Sequence, residues 1–337
     1  MAWQIIGHDW AVTLLQQGLA ADRVAHAVLF TGPPKIGKTQ LALALAQALN
    51  CRQAAPPCGQ CSSCLKIQQR VHPDVRVIEG EGVGGSIKID QVRALQREAI
   101  LSPYEGKQRV FVLRCMDLAS TEAANSLLKT LEEPPAHVVL VLTAVQAEAL
   151  PATVVSRCQR LDLRPAARQV VEAFLLEQGV SAEKAKLLAR LSGGRVGWAV
   201  DAARDQDLLQ QRQERLDQLA GILSADRVER LEFAQRASQD PLASRALLEL
   251  WTVWWRDLFL VHGQGKQHLV NMDRGGELEW VAGQSTLPEV WTALNALQET
   301  AAQLEANVNA RLAWEGLLLQ LPRWQSQGGG RGNERGH

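Results

Sequence analysis

The chain is poor in tyrosine and phenylalanine and has no excess of either charge: one Tyr and five Phe stand in 337 residues, and Lys plus Arg equals Asp plus Glu at 36 each. With a formal net charge of zero, no whole-molecule field draws the protein to nucleic acid or to a membrane surface, so any such contact needs a local basic patch. No apolar run reaches the roughly 20 residues of a spanning helix. Met1-Ala2-Trp3-Gln4 has neither the basic nor the apolar region of a secretory signal. A cytoplasmic location without a membrane partner is therefore expected. Cysteine is also scarce, six in all, and four of the six crowd into residues 51–64 instead of being spread as a disulfide framework would be. Tryptophan is what the chain does have: ten, most of them in the last third, whose core is expected to be built differently from that of the first. At 46% hydrophobic residues the composition suits a protein with full cores, and the length suggests two or three domains.

Gly32-Pro33-Pro34-Lys35-Ile36-Gly37-Lys38-Thr39 is a complete G-x-x-x-x-G-K-T loop. It lies between the apolar run Ala27-Val28-Leu29-Phe30 and the helix-forming run Gln40 to Asn50, the strand-loop-helix context that gives this motif physical meaning. Backbone N–H groups of the loop and of the helix N-terminus would surround a phosphate chain. Lys38 would place a positive charge near its end, and the Thr39 hydroxyl would face magnesium. ATP or ADP with Mg2+ is the expected ligand; a glycine-rich turn without ligand is the alternative.

Cys51 and Cys58-Gly59-Gln60-Cys61-Ser62-Ser63-Cys64 follow. Two overlapping C-x-x-C steps bring three thiolates to one point, and Cys51 can supply the fourth. The spacing fits a closed, structural Zn(Cys)4 site better than redox pairs. Upstream of the loop, Trp10, Val12, Leu14, Leu15 and Leu19 suit an amphipathic helix, while Ile5-Ile6-Gly7 would either wrap a base or pack, with packing favoured.

Beyond the cysteines, strands are predicted at Val75 to Ile78, Arg109 to Leu113, Val138 to Leu142 and Gln159 to Leu163. Helices are predicted from Asp90 to Leu101 and from Thr121 to Leu131, and residues 79–85 read as a mobile loop. Strands alternating with helices over about 160 residues describe a doubly wound α/β nucleotide-binding domain with a parallel sheet. After Pro165 only helices are expected: Ala166 to Gln178, Ala182 to Leu191 and Trp198 to Arg204, and then five or so more to Pro322, including Pro241 to His262 and Pro288 to Ala306. Trp251, Trp254, Trp255 and Leu258 share one face of Pro241 to His262, as core or interface residues do. Residues 325–337 read as a disordered tail.

One piece of chemistry is missing. A hydrolytic phosphate-loop enzyme needs an acid at the end of the strand beside the loop. Here Arg109 to Leu113 is followed by Arg114 and Cys115, neither of which binds magnesium as a carboxylate would. Asp117 would serve only if the strand ended early and turned back. Nucleotide binding with weak or absent hydrolysis is expected; an ordinary ATPase with an irregular strand end is the alternative. Arg157, in Ser156-Arg157-Cys158, reads in isolation as a solvated surface residue, although the topology could bring it to the domain edge near a neighbouring subunit's phosphates.

These stretches resemble one family: the delta-prime subunits of the bacterial DNA polymerase III clamp loader, which are AAA+ proteins. The resemblance is carried by Ile5-Ile6-Gly7-His8, His26 to Pro33, the four-cysteine insert, His72-Pro73-Asp74, Asn125 to Pro135 and Ser156-Arg157-Cys158. It implies an AAA+ domain at 1–164 with the zinc insert at 51–64, a helical lid at 165–205 and an all-α collar at 206–324 through which subunits join. The implied assembly is a heteropentamer with gamma or tau and delta subunits that opens a sliding clamp and places it on primed-template DNA. Within it Arg157 matches the arginine finger lent in trans to a motor subunit, and Thr143 matches the polar sensor. Arg114 and Cys115 stand where motor subunits carry their acidic pair. Gly197 falls near the motor subunits' nucleotide-sensing arginine, with Arg195 two positions away. Lys129 is placed either on DNA phosphates or on a solvated helix face. Two other functions stay open: an ATP-hydrolysing gamma or tau motor, and a zinc-stabilised nucleotide-binding module of another assembly.

Overall fold

The computed structural model describes residues 3–80, 85–205, 207–305 and 308–324. It divides into two compact units between Val200 and Asp201. In the first unit, strands β1 (Ala27–Thr31), β2 (Val75–Ile78), β3 (Arg109–Leu113), β4 (Val138–Ala144) and β5 (Gln159–Asp162) form one sheet in the order β2-β3-β4-β1-β5. Every pairing is parallel. Strand β1 is buried at all five positions because it lies inside the sheet with helices over both faces. Its alternation divides the core: Val28 and Phe30 pack with α1 (Asp9–Ala20) and α2 (Lys38–Asn50). Ala27 and Leu29 pack on the opposite face with residues of two later helices, Ile89–Ala99 and Thr121–Glu132. Such two-sided burial is why the central strands read as continuous apolar runs.

The remaining helices of this unit are α3 (Ser62–Gln68), α4 (Ile89–Ala99), α5 (Thr121–Glu132), α6 (Ala152–Val155), α7 (Arg168–Glu177), α8 (Ala182–Leu191) and α9 (Val196–Arg204), the last of which runs across the division. Several boundaries differ from the sequence reading for identifiable reasons. Helix α4 starts at Ile89, because the Gln91 side chain reaches back to accept the Lys88 N–H at 2.9 Å. Strand β4 runs two residues further than expected, so Thr143 lies within the strand, paired with Phe30. In α1 the buried residues are Ala11 and Leu15, whereas Trp10 and Leu14 are exposed. Strand β3 is not beside β1: β4 separates them. The predicted loop at 79–85 lies mostly outside the described residues, and so does the predicted tail at 325–337.

The second unit is helical, with α10 (Asp207–Ser224), α11 (Arg227–Ala237), α12 (Pro241–His262), α13 (Gly275–Ala282), α14 (Leu287–Glu305) and α15 (Ala310–Gln320) among the described residues. Asp240 accepts from the N–H groups of Leu242 and Ala243, and Pro241 fits the first turn, so α12 begins where the sequence places it. Its tryptophans are core. Trp251, Trp254, Trp255 and Trp314 are fully buried, with Trp251 stacked on Phe233 at 5.6 Å and edge-on to Trp314 at 5.5 Å. Arg230 is buried without an acidic partner among the described residues. Its guanidinium donates to the carbonyls of Ile222, Leu318, Leu321 and Pro322 at 2.6 to 3.1 Å, tying the ends of α10 and α15. Among the described residues no helix is long and apolar enough to cross a membrane.

Candidate functional site

The G-x-x-x-x-G-K-T loop leaves β1 and enters α2 through left-handed backbone that its glycines permit. Gly37, with φ of +113°, precedes α2 directly. Gly32 has φ of +140°, and a Cβ there would lie 2.5 Å from the Leu163 carbonyl oxygen, so the loop's entry is pressed against the segment after β5. Lys35 sits exposed at the crest with φ of +59°, between the half-buried Pro33 and Pro34 and the buried Ile36. His8 Nε2 lies 2.9 Å from the Ile36 carbonyl, which can only accept, so Nε2 carries the proton. Lys38 Nζ folds back to donate to the carbonyls of Gly32 and Pro33. Thr39 follows in the first turn of α2. Ile5-Ile6-Gly7 packs: a Cβ on Gly7 would lie 2.4 Å from that of Ala166.

The strand end where an acid is missing has a specific geometry. Arg114 pairs with Glu79, the residue after β2's exit, and so turns toward the sheet edge away from β1. Cys115 takes up left-handed backbone, φ +54°, and its N–H donates to Thr143 Oγ1 at 3.1 Å. Thr143 is buried, and its hydroxyl oxygen is engaged by this turn. A short 3-10 turn, Met116–Leu118, then reverses the chain, and Asp117 Oδ1 accepts the Val145 N–H at 3.3 Å. The Val145 carbonyl in turn accepts from Gly32 N–H at 3.0 Å. Strand β3 does not end early, since it closes at Leu113 as expected, but the turn after it brings Asp117 to Val145, which links it to the phosphate loop. Nothing in the sequence around Cys115 signals a left-handed residue, so the pattern of types could not have found this link.

Arg157 lies just beyond α6 and two residues before β5 begins, at the N-terminal edge of the parallel sheet, opposite the end that carries the phosphate loop. Its guanidinium donates to the Thr153 carbonyl at 2.8 Å and pairs with Glu132 at 2.7 Å, and its side chain is 35% exposed. Lys129 is exposed one turn before Glu132 on α5.

The sulfurs of Cys51, Cys58, Cys61 and Cys64 all lie within 4.8 Å of one another, and those of Cys58 and Cys64 are 3.9 Å apart. A tetrahedron with metal–sulfur bonds of about 2.3 Å has edges of about 3.8 Å. The donor set therefore fits a four-coordinate soft metal. The N–H groups of Gln60 and Cys61 point at Cys58 Sγ and lower its thiol to about 6, whereas burial pushes Cys64 up to about 12. A metal must displace the Cys64 proton.

His72-Pro73-Asp74 fastens this insert to the sheet. His72 Nδ1 accepts the Asp74 N–H at 3.1 Å, which leaves Nε2 to donate to Ser63 Oγ at 3.0 Å. The Asp74 carboxylate accepts from the N–H groups of Tyr104, Glu105 and Gly106 and from Arg109. Burial alone would raise that carboxyl; the donors outweigh it and hold it below the usual 3.8. Residue types alone assign no role here, since the partners of Asp74 lie 30 to 35 residues further along the chain.

A parallel sheet whose inner strand feeds a complete G-x-x-x-x-G-K-T turn at a helix N-terminus defines a P-loop protein of the α/β class. The family model described as DNA polymerase III, delta subunit, matches residues 7–167. The DNA polymerase III subunit delta' of Bacillus subtilis is 31% identical over 313 residues, covering 91% of this chain and 94% of that relative. The chain belongs to the delta-prime family of DNA polymerase III clamp-loader subunits. It is also 34% identical to the Escherichia coli DNA polymerase III subunit tau over 198 residues, 56% of this chain and 30% of tau. A DNA polymerase III gamma subunit-related protein of Thermotoga maritima superposes with a TM-score of 0.44 at 16% identity, over 90% of this chain and 97% of that one.

Proposed function

We propose that this chain is the stator of a clamp loader: it binds ATP or ADP with Mg2+, does not turn it over, and completes a neighbouring motor subunit's ATP site with Arg157. The observation that carries the reading is the turn after β3. Arg114 is committed to Glu79 and Cys115 to Thr143, so neither position offers the carboxylate that holds magnesium and aims water. Gly32 to Thr39 would hold the phosphates, with Thr143 beside them. Cys51, Cys58, Cys61 and Cys64 would hold a structural zinc that supplies cross-linking of the insert and no open position for chemistry.

In this reading residues 1–164 form the nucleotide-binding domain, 165–205 the lid and 206–324 the collar. The partners are gamma or tau and delta subunits in a cytoplasmic heteropentamer that loads a sliding clamp on primed-template DNA. Supplying a cation in trans accelerates phosphoryl transfer by about 10³ to 10⁵. The test is ATP turnover by the reconstituted loader carrying Arg157→Ala: assembly should persist while turnover at the adjoining site collapses. An unchanged rate rejects the in-trans role.

One observation favours a second reading, the motor subunit with its own turnover. Asp117 turns back to the end of β4 and is joined through Val145 to Gly32. ATP hydrolysis by the isolated chain, lost in Asp117→Asn, would select it.

A further inference from the structure

Glu132 is the last residue of α5, and Arg157 follows α6 at a distance of 25 positions in sequence, yet their side chains meet at 2.7 Å. A second restraint acts on the same guanidinium: its Nη1 donates to the Thr153 carbonyl at 2.8 Å, one turn back in the chain. The two anchors come from separate elements, so together they fix both the reach and the roll of the side chain. Both partners of the pair are substantially exposed, 35% for Arg157 and 50% for Glu132. Ion pairs this exposed contribute little to folding. What this pair does supply is orientation, because a free arginine carries about 2 kcal/mol of rotamer entropy that must be given up before its planar fork can meet a phosphate. A guanidinium has five N–H donors, so a phosphate can be engaged by others while the Glu132 bond stays in place.

We propose that Glu132 is a positioning residue for Arg157: it holds the guanidinium in one orientation at the edge of the sheet, ready for a phosphate chain bound by another subunit. This inference rests on the in-trans reading of Arg157 and adds the residue that makes the arginine effective.

The experiment is a double-mutant cycle in the reconstituted loader, comparing wild type, Glu132→Gln, Arg157→Ala and the pair of substitutions. Assembly and thermal midpoint are checked for each. Glu132→Gln should lower the maximal ATP turnover at the adjoining site about tenfold. The ATP concentration at half-maximal rate should stay the same, since the ground-state nucleotide is held by the neighbour's own loop. In the Arg157→Ala background the same substitution should add nothing. Glu132→Ala provides a second variant with the same expectation. A slow Arg157→Ala loader beside a fully active Glu132→Gln loader rejects the positioning role alone, as does an equal loss from Glu132→Gln in both backgrounds. An Arg157→Ala loader of normal rate rejects the in-trans reading, and the positioning role with it.

Discussion

The backbone N–H of Gly197 donates to the carbonyl of Lys35 at 2.8 Å, so the first turn of α9 rests directly on the crest of the phosphate loop. A Cβ at position 197 would lie 2.7 Å from that carbonyl oxygen, closer than real side chains approach. Arg195 is turned elsewhere, donating to the Ser192 carbonyl at 2.9 Å and lying over the Trp198 ring at 5.9 Å. A backbone contact, and no side chain, thus joins position 197 to the phosphate loop. The prediction concerns sign. Alanine in a helix is ordinarily worth up to about 1 kcal/mol over glycine; here Gly197→Ala should instead lower the thermal midpoint of the N-terminal unit and speed amide exchange at residue 197. A more stable Gly197→Ala protein would mean that the contact does not hold.

On the proposed zinc reading, chelation should have a graded effect. Residues 52–61 depend on the cysteines, whereas α3 is also held by Ser63 to His72 and by Lys66 to Glu105 at 2.8 Å. After chelation, proteolysis is expected first between 52 and 61, with 62–74 protected for longer and α10 to α15 unaffected. Cleavage that ignores chelation would show that the polar contacts alone hold the insert.

The sheet is readable because its central strands are buried on both faces and several of the helices begin or end at Gly, Pro or a capping side chain. Pro241 to His262 was readable to the residue for that reason. The strand neighbours were not readable. Period and propensity say nothing of strand order, and β4 lies between β3 and the strand that feeds the loop. The cysteines and the phosphate loop are local in sequence, and their geometry followed from spacing. The Glu132 to Arg157, Asp117 to Val145 and Gly197 to Lys35 contacts join segments far apart in sequence, and each depends on a backbone turn or a helix end that composition does not encode.

Acid should loosen the junction between the insert and the sheet through Asp74. Because this carboxyl is held below its ordinary value in the folded protein, the unfolded chain takes up the proton first as pH falls. The stabilisation is complete above the usual carboxylate range and is lost as pH drops through the depressed folded value. Asp74→Asn, which leaves two of the backbone donors short of an acceptor, should cost about 2 kcal/mol at pH 7 by urea unfolding. The gap to wild type should close below about pH 4. A gap independent of pH would show that the charge of Asp74 contributes nothing.

In the second unit, Arg230→Met keeps the buried stem and removes the donors, leaving the carbonyls of Ile222, Leu318, Leu321 and Pro322 without them. Loss of about 3 kcal/mol is expected, read as a lowered urea midpoint for α10 to α15 with the nucleotide-binding unit unchanged. Arg230→Lys should not restore it, since an ammonium cannot span four acceptors in a plane. Full recovery with lysine would mean that charge, and not the shape of the guanidinium, ties these helix ends together.

Lys38 gives the sharpest separation of binding from turnover. Its Nζ is bonded to the carbonyls of Gly32 and Pro33, contacts that a phosphate chain would replace with stronger charge-assisted ones. Lys38→Ala should therefore weaken ATP and ADP binding by about 10- to 100-fold in a titration of the isolated chain. Turnover should stand at background in the parent protein, in Lys38→Ala and in Asp117→Asn alike, because Arg114 and Cys115 leave the strand end without a carboxylate. Asp117→Asn then acts as the control that decides the outcome: its carboxylate is linked through Val145 to the loop, and an amide there keeps the size while losing the charge. Measurable hydrolysis by the parent chain that disappears in Asp117→Asn would mean that the backward turn after β3 delivers an acid to the metal after all, and the chain would then act on its own nucleotide.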